Sequence, residues 1–315
     1  MNTRVLNSIF VLLLLATPAA AQTINAGNNG PWFKADLHTH YSFRSPIEEE
    51  IARYRETGYN FLVLSAKDDS KVIDYEKYST PGMLIVNGVE QSFLTRKNKL
   101  GHVIGFRIKS PFMFTSAWTL KEGYAKLREK NKRAILGINH PHDGRWSLDD
   151  VLEAAEQGLS FFELNSIDMK HGEFETALWD QALSRGARLY ATLVNDVHSF
   201  GDIDAYGYIL IRAAALDYGK IAPALLSGDF YAVESGCSAK VEEYRIIDSD
   251  AGKRLRVSAP GAARIRAIGD GKVFADRAGP GLEVSLADSF KYVRVELIDA
   301  EGRYIFMQPF FLGNK

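Results

Sequence analysis

One cysteine, Cys237, is all the chain contains. A single cysteine closes no internal disulfide, so even an oxidising compartment gives this fold no covalent staple. Cys237 reads as a small core residue rather than a catalytic thiol. An excess of either charge is also missing. Lys and Arg number 38 against 39 Asp and Glu, a formal net charge of −1. A nucleic-acid binder would carry a basic surplus, so that class is set aside. Long apolar runs are lacking too. Ile9 to Ala16 is the main one, short of the roughly 20 residues that span a bilayer. No internal repeat or low-complexity tract interrupts the chain. Stability must therefore come from an ordinary core, and an apolar content of 46% suffices for one.

The N-terminus reads as a secretory signal. Arg4 is a short basic n-region, Ile9 to Ala16 the apolar h-region, and Ala19-Ala20-Ala21 the small residues of a cleavage site. Residues 1–21 are expected to be removed before Gln22, leaving about 290 residues, one large domain or a domain plus a small one. A periplasmic or secreted protein with no stable membrane insertion follows. The cysteine is far from Ala21, which argues against a lipid anchor. The Asn/Gly-rich stretch 22–31 reads as a flexible leader.

Short apolar runs then alternate with helical patterns. The runs 32–38, 61–65, 83–89, 102–107, 134–138, 161–164, 188–193 and 207–211 predict strands, and 47–57, 118–131, 148–157 and 173–185 predict helices. Ser147 with Asp150 predicts an N-cap, and Gly58, Gly158 and Gly186 fall where helix C-caps belong. Such alternation implies parallel strands in an α/β layer or barrel. After a linking helix over 214–227 the pattern changes. From residue 228 short β-type segments dominate, at 239–247, 253–259, 262–268, 282–286, 291–298 and 303–307. Val293-Arg294-Val295-Glu296-Leu297 alternates at period two. A β-rich antiparallel domain over 228–315 is expected beside a unit at 32–227.

Six of the seven histidines fall at or just after predicted strand ends. His38 and His40 are two apart, which on a strand puts both imidazoles on one face. Asp196 and His198 repeat that spacing, and Glu90, His102 and His140 join the set. Imidazoles mixed with carboxylates suit Zn, Mn or Fe. Burying so many titratable groups with no ion would be costly.

Taken in order, Asp36-Leu37-His38-Thr39-His40, Gly88-Val89-Glu90, Gly101-His102-Val103-Ile104-Gly105, Asn139-His140-Pro141-His142 and Asn195-Asp196-Val197-His198 resemble the motifs of the PHP (polymerase and histidinol phosphatase) family. The tail, with Gly228-Asp229-Phe230-Tyr231-Ala232 and Tyr292-Val293-Arg294-Val295-Glu296, is similar to its carbaryl-hydrolysing, CehA/McbA-like branch. The resemblance implies an α/β fold, a distorted (β/α)7 PHP barrel followed by the small β domain. It implies two or three divalent ions, one on His38, His40, Glu90 and Asp196, a second sharing Glu90 and adding His102 and His140. A bridging hydroxide would be the nucleophile. The implied activity is hydrolysis of a small-molecule phosphate ester, carbamate or carboxylic ester.

The chain departs from the family at two places. Where the family has Thr-Asp-His, this sequence has Ser65-Ala66-Lys67, and the stretch Tyr41 to Pro46 lacks the Asp or His that follows the first motif. Both positions would serve a third ion, and a protonated lysine cannot ligate one, so the third site is expected to be missing, with two ions left, and His198 to have lost its metal partners. Lys67 is then either a fixed cation binding the negative part of the substrate or a solvated loop residue. Lys67, Arg145 and His198 are the candidate catalytic residues. Arg145 and Trp146 could meet a substrate or serve packing, and Tyr41 and Arg44 stand alike. His142 could support the ligands or be a polar loop residue. Glu163 and Asn165 could line the pocket, and His171 reads as surface. The rival functions are a periplasmic metal- or ligand-binding protein on a degenerate PHP scaffold and a carbohydrate-binding module.

Overall fold

The computed structural model describes residues 30–42, 45–67, 74–108, 118–143, 145–166, 169–198, 203–250 and 252–312. The signal segment, its cleavage site, most of the leader, and Arg44 lie outside these residues. No helix among the described residues is long and apolar enough to cross a membrane.

The first half alternates as its sequence suggests. Its elements are β1 (Trp32–His40), α1 (Ile47–Glu56), β2 (Tyr59–Lys67), β3 (Leu84–Leu94), β4 (Leu100–Phe106), α2 (Leu120–Lys130) and β5 (Ile135–Asn139). They continue with α3 (Leu148–Glu156), β6 (Phe161–Glu163), α4 (Thr176–Ser184), β7 (Tyr190–Thr192), β8 (Gly207–Arg212) and α5 (Tyr218–Ser227). Phe61-Leu62-Val63-Leu64 are all buried, the unbroken apolar run of a strand covered on both faces. Ser147 and Asp150 form a reciprocal capping box at the start of α3. Gly58 and Gly158 follow α1 and α3 with φ of 84° and 89°, conformations glycine adopts without a Cβ penalty.

Strand direction places the site. β1, β2 and β3 pair in parallel, and so do β5, β6 and β7. β4 is antiparallel to both β3 and β5. The six co-directional strands therefore end at one edge, and β4 begins there. That reversal lets His102, near the start of a strand, join residues at the ends of others.

The C-terminal strands extend the same sheet. β9 (Phe230–Glu234), β10 (Glu243–Ser249), β11 (Gly252–Ser258), β12 (Arg264–Gly269), β13 (Lys272–Ala278), β14 (Gly281–Ser285), β15 (Tyr292–Ile298), β16 (Tyr304–Met307) and β17 (Phe310–Phe311) follow. The long sheet runs β13-β12-β15-β16-β9-β8-β1-β2-β3-β4-β5-β6-β7, with β17 on β15, while β10, β11 and β14 form a three-stranded sheet. The fold is thus mixed α/β and sheet-rich. Among the described residues no strand pairing joins β7 to β8, so the strands form one long path and the (β/α)7 barrel that the resemblance implies is not seen to close.

β15 is buried along its whole length. Its polar positions face helix α4 rather than water. Arg294 donates to both carboxylate oxygens of Asp180 at 2.7 Å and to Glu296 at 2.8 Å, and its guanidinium lies 4.9 Å from the Trp179 ring centre. Trp146, left between substrate and packing by its sequence, is a core residue against Gly101. Cys237 is half-buried, and burial pushes its thiol up to about 12.

Candidate metal centre

β1 delivers His38 and His40 from one face, both buried. Each has its outer ring nitrogen engaged. His38 Nδ1 lies 2.9 Å from Glu163 Oε1, and His40 Nδ1 lies 3.0 Å from the Ser65 carbonyl oxygen. An acceptor at Nδ1 fixes the proton there and leaves the Nε2 lone pair facing inward. The two Nε2 atoms are only 3.2 Å apart. Converging lone pairs at that distance repel unless a cation lies between them.

Carboxylates complete the group. Asp196 Oδ1 is 3.3 Å from His38 Nε2 and 3.2 Å from His40 Nε2, and Glu90 Oε2 is 3.3 Å from His40 Nε2. Donors about 2.1 Å from a tetrahedral ion stand about 3.4 Å from each other, which these separations match. Asp196 Oδ1 is buried with no hydrogen-bond donor aligned on it, and Glu90 Oε2 has no hydrogen bond but an ion pair with the Lys67 ammonium. Buried acceptors without donors are what an ion would satisfy.

Glu90 also serves a second group. Its Oε1 is 2.9 Å from His102 Nδ1 and 3.0 Å from His140 Nε2, and those two nitrogens are 3.3 Å apart. One carboxylate thus presents an oxygen to each of two sets of donors. His140 and Asp196 adopt φ of 23° and 46°, as Asn98, Arg107, Asp204 and Asp270 do at turns or bends elsewhere in the chain, a positive-φ backbone uncommon for non-glycine residues. Two hydrogen bonds hold these turns: His140 N donates to Glu163 Oε2 at 2.8 Å, and Asp196 N to the His38 carbonyl at 2.9 Å.

The electrostatics agree. Burial alone would push the His38 imidazole down, but Asp196, Glu163 and Glu90 outweigh it and hold it well above its usual range. His40 and His140 are raised against burial by the same carboxylates, Asp196 and Glu90 for the first and Glu90 and Glu163 for the second. Burial raises Glu90, yet the charge of His38 and bonds from His102 and His140 bring it well below the ordinary carboxylate range. The surrounding carboxylates thus favour positive charge at these imidazoles.

The six predicted ligands, His38, His40, Glu90, His102, His140 and Asp196, therefore meet at one strand edge. Sets of them converge closely enough to share an ion, and His40 and Asp196 form a further set with His198, which the sequence had left without metal partners. Lys67 reaches the cluster as well, its Nζ 3.3 Å from Glu90 Oε2 and its side chain half exposed. His198 is half exposed, packs on the His40 ring at 4.9 Å, and bonds through Nδ1 to the Asp196 carbonyl at 2.7 Å. Arg145 points elsewhere, toward the Leu100 carbonyl 3.5 Å away. His142 is half-buried in the turn after His140, with Nδ1 buried and without a hydrogen bond. His171 pairs with Glu234 rather than standing alone at the surface.

Sequence reasoning gave Glu163 only a place in the pocket wall, whereas it orients His38. It passed over Asn139, whose Nδ2 lies 3.3 Å from Glu90 Oε1 and 3.4 Å from His38 Nε2. Asp36 and Asn195 were also missed: Asn195 Nδ2 donates to Asp36 at 2.9 Å, and burial raises the Asp36 carboxyl to about 7. Their signal was position, since each lies within a motif that carries ligands.

No family model matches the chain, and no curated protein does. Among solved structures it is similar to a two-domain protein from Bacteroides vulgatus ATCC 8482 containing a predicted PHP-like metal-dependent phosphoesterase. The TM-score is 0.50 at 14% identity, covering 95% of this chain and 92% of that one. The likeness is one of fold.

Proposed function

We propose that this chain is an exported, metal-dependent hydrolase of phosphate esters or related esters, working with two divalent ions of the Zn, Mn or Fe kind. The observation that carries the reading is Glu90, with Oε2 turned to His40, which Asp196 also approaches, and Oε1 turned to His102 and His140. A structural ion has no use for a buried carboxylate shared between two donor sets. Bound there, such ions acidify water and stabilise charge on the attacked centre.

The protein's own residues do the rest. Glu163 locks the His38 ring and the His140 backbone, so both donor sets are held in place before substrate arrives. The half-exposed Lys67 ammonium borders Glu90, placed to meet a negative oxygen of the substrate. With its Nδ1 proton given to the Asp196 carbonyl, His198 keeps Nε2 as its basic nitrogen, able to accept or return a proton.

Elemental analysis of the purified mature protein tests the reading. Two ions per chain are expected, and His102→Ala removes one. Zero or one ion in the parent favours the binding-protein alternative. With Mn or Zn added, p-nitrophenyl phosphate, bis-p-nitrophenyl phosphate and 1-naphthyl N-methylcarbamate separate the ester classes, and failure on all three with metal bound defeats the hydrolase reading.

A further inference from the structure

A cavity of about 170 Å³ is walled by Asn165, Ser166, His171, Tyr206, Ser235 and Arg303. It adjoins the cluster along two stretches of chain. Asn165 lies two residues beyond Glu163, and its side chain bonds both the N–H and the carbonyl of Val194, two residues before Asp196. The backbone N–H of Tyr206 donates to Asn195 Oδ1 at 3.1 Å, and Asn195 immediately precedes Asp196. Two residues of extended chain cover roughly 7 Å, so a small ester with its reacting centre at the cluster can reach this cavity with its other end.

The charges inside are unequal. Glu234 is buried and already committed: it accepts from Tyr304 N at 2.9 Å, from Gly172 N at 3.3 Å, and from His171 Nδ1. Arg303 is not committed in that way. It is half-buried, its Nη1 donates to the Ser235 carbonyl, and among the described residues no carboxylate pairs with its guanidinium. The group is also held in place. Gly236 has φ of 80°, and a Cβ there would come within 2.8 Å of Arg303 Nη1, so the guanidinium lies directly on the glycine backbone. Lys170 adds a second cation at the rim. A second carboxylate, Glu173, lies exposed at the rim and accepts from Lys170 N at 3.2 Å. Inside the cavity a positioned guanidinium with donors to spare thus stands beside one buried carboxylate that is neutralised locally, an arrangement that suits a planar or tetrahedral anion.

We propose that this cavity is a subsite for one anionic group, a carboxylate or phosphate, at the end of the substrate remote from the ester that is cleaved. Arg303 is its principal ligand and Lys170 an auxiliary one. The assignment rests on the hydrolase reading above and narrows it to esters that carry a second negative group.

The test compares 4-carboxyphenyl phosphate with its neutral isostere 4-carbamoylphenyl phosphate, using the metal-loaded full chain. The acid should show the higher kcat/KM by roughly tenfold, through KM, as expected for a charge-assisted contact. Arg303→Ala should erase that preference, Arg303→Lys should keep part of it, and Lys170→Ala should reduce it less. No preference in the parent chain, or one that survives Arg303→Ala, overturns the subsite. Calorimetric titration with benzoate gives a readout that needs no turnover. Benzoate binding that weakens roughly tenfold in Arg303→Ala, with neither ester cleaved, keeps the anion site and removes the hydrolase reading. The same weakening with both esters cleaved alike assigns the cavity to a free anion and overturns its role for substrate. Should Arg303→Ala not fold, Arg303→Lys and Lys170→Ala carry the comparison.

Discussion

Lys67 and Glu90 face each other across β2 and β3 as register partners, and their side chains meet at 3.3 Å. A lysine beside Asp68 and Asp69 would ordinarily be a solvated loop residue, which is why its sequence left two readings open. The ladder decides where it points: it ends a strand whose partner carries the shared carboxylate. If the ammonium serves the substrate, Lys67→Ala lowers kcat on p-nitrophenyl phosphate by about 10²–10³-fold, the range for losing one preorganised electrostatic contact. The metal content of that variant should stay at the parental value by elemental analysis. Unchanged turnover sinks the role. The cluster itself was legible because metal chemistry admits few residue types and strand ends bring His38, His40, Glu90, His102, His140 and Asp196 together. Sequence proximity to His140 says less about Arg145, whose guanidinium lies 3.5 Å from the Leu100 carbonyl.

Elements were legible where one rule governed them. The capped helix α3 begins where Ser147 and Asp150 place it, and the buried run of β2 shows as apolar sequence. β9 escaped notice because Phe230–Glu234 is covered on both faces and does not alternate. β13 escaped because it is a largely exposed edge strand with little apolar signal. β15 shows in the sequence through its period-two alternation, but alternation does not say what covers the polar face; α4 meets Arg294 there through Asp180 and Trp179. Removing one partner of a buried ion pair strands the others, so Arg294→Met should cost about 3–5 kcal/mol in urea unfolding. Adding Asp180→Leu to that variant should recover part of the loss. A cost below about 1 kcal/mol would mean that the pair is effectively solvated.

For the whole molecule, the long sheet makes residues on either side of position 228 mutually dependent. β8 lies between β1 and β9, and β9 pairs onward to β16. Phe230, Ala232, Tyr292 and Phe306 belong to the same apolar cluster as Leu136 and Phe161. The full chain should therefore unfold in a single calorimetric transition with equal calorimetric and van't Hoff enthalpies. Two resolved transitions would show that the β-rich region folds separately. This continuity also sets the order of events in making the protein. His38 is translated early and Asp196 much later, and the strands that flank β1 come from both ends of the chain. A nascent chain has no pocket to sequester an ion, because its donors are brought together only by finished strand pairing. For such late-assembling sites metal affinity is part of folding free energy, and ion identity follows supply as much as intrinsic preference. On the proposal that the chain is an exported metalloprotein, its cation is chosen where folding finishes, not where synthesis begins.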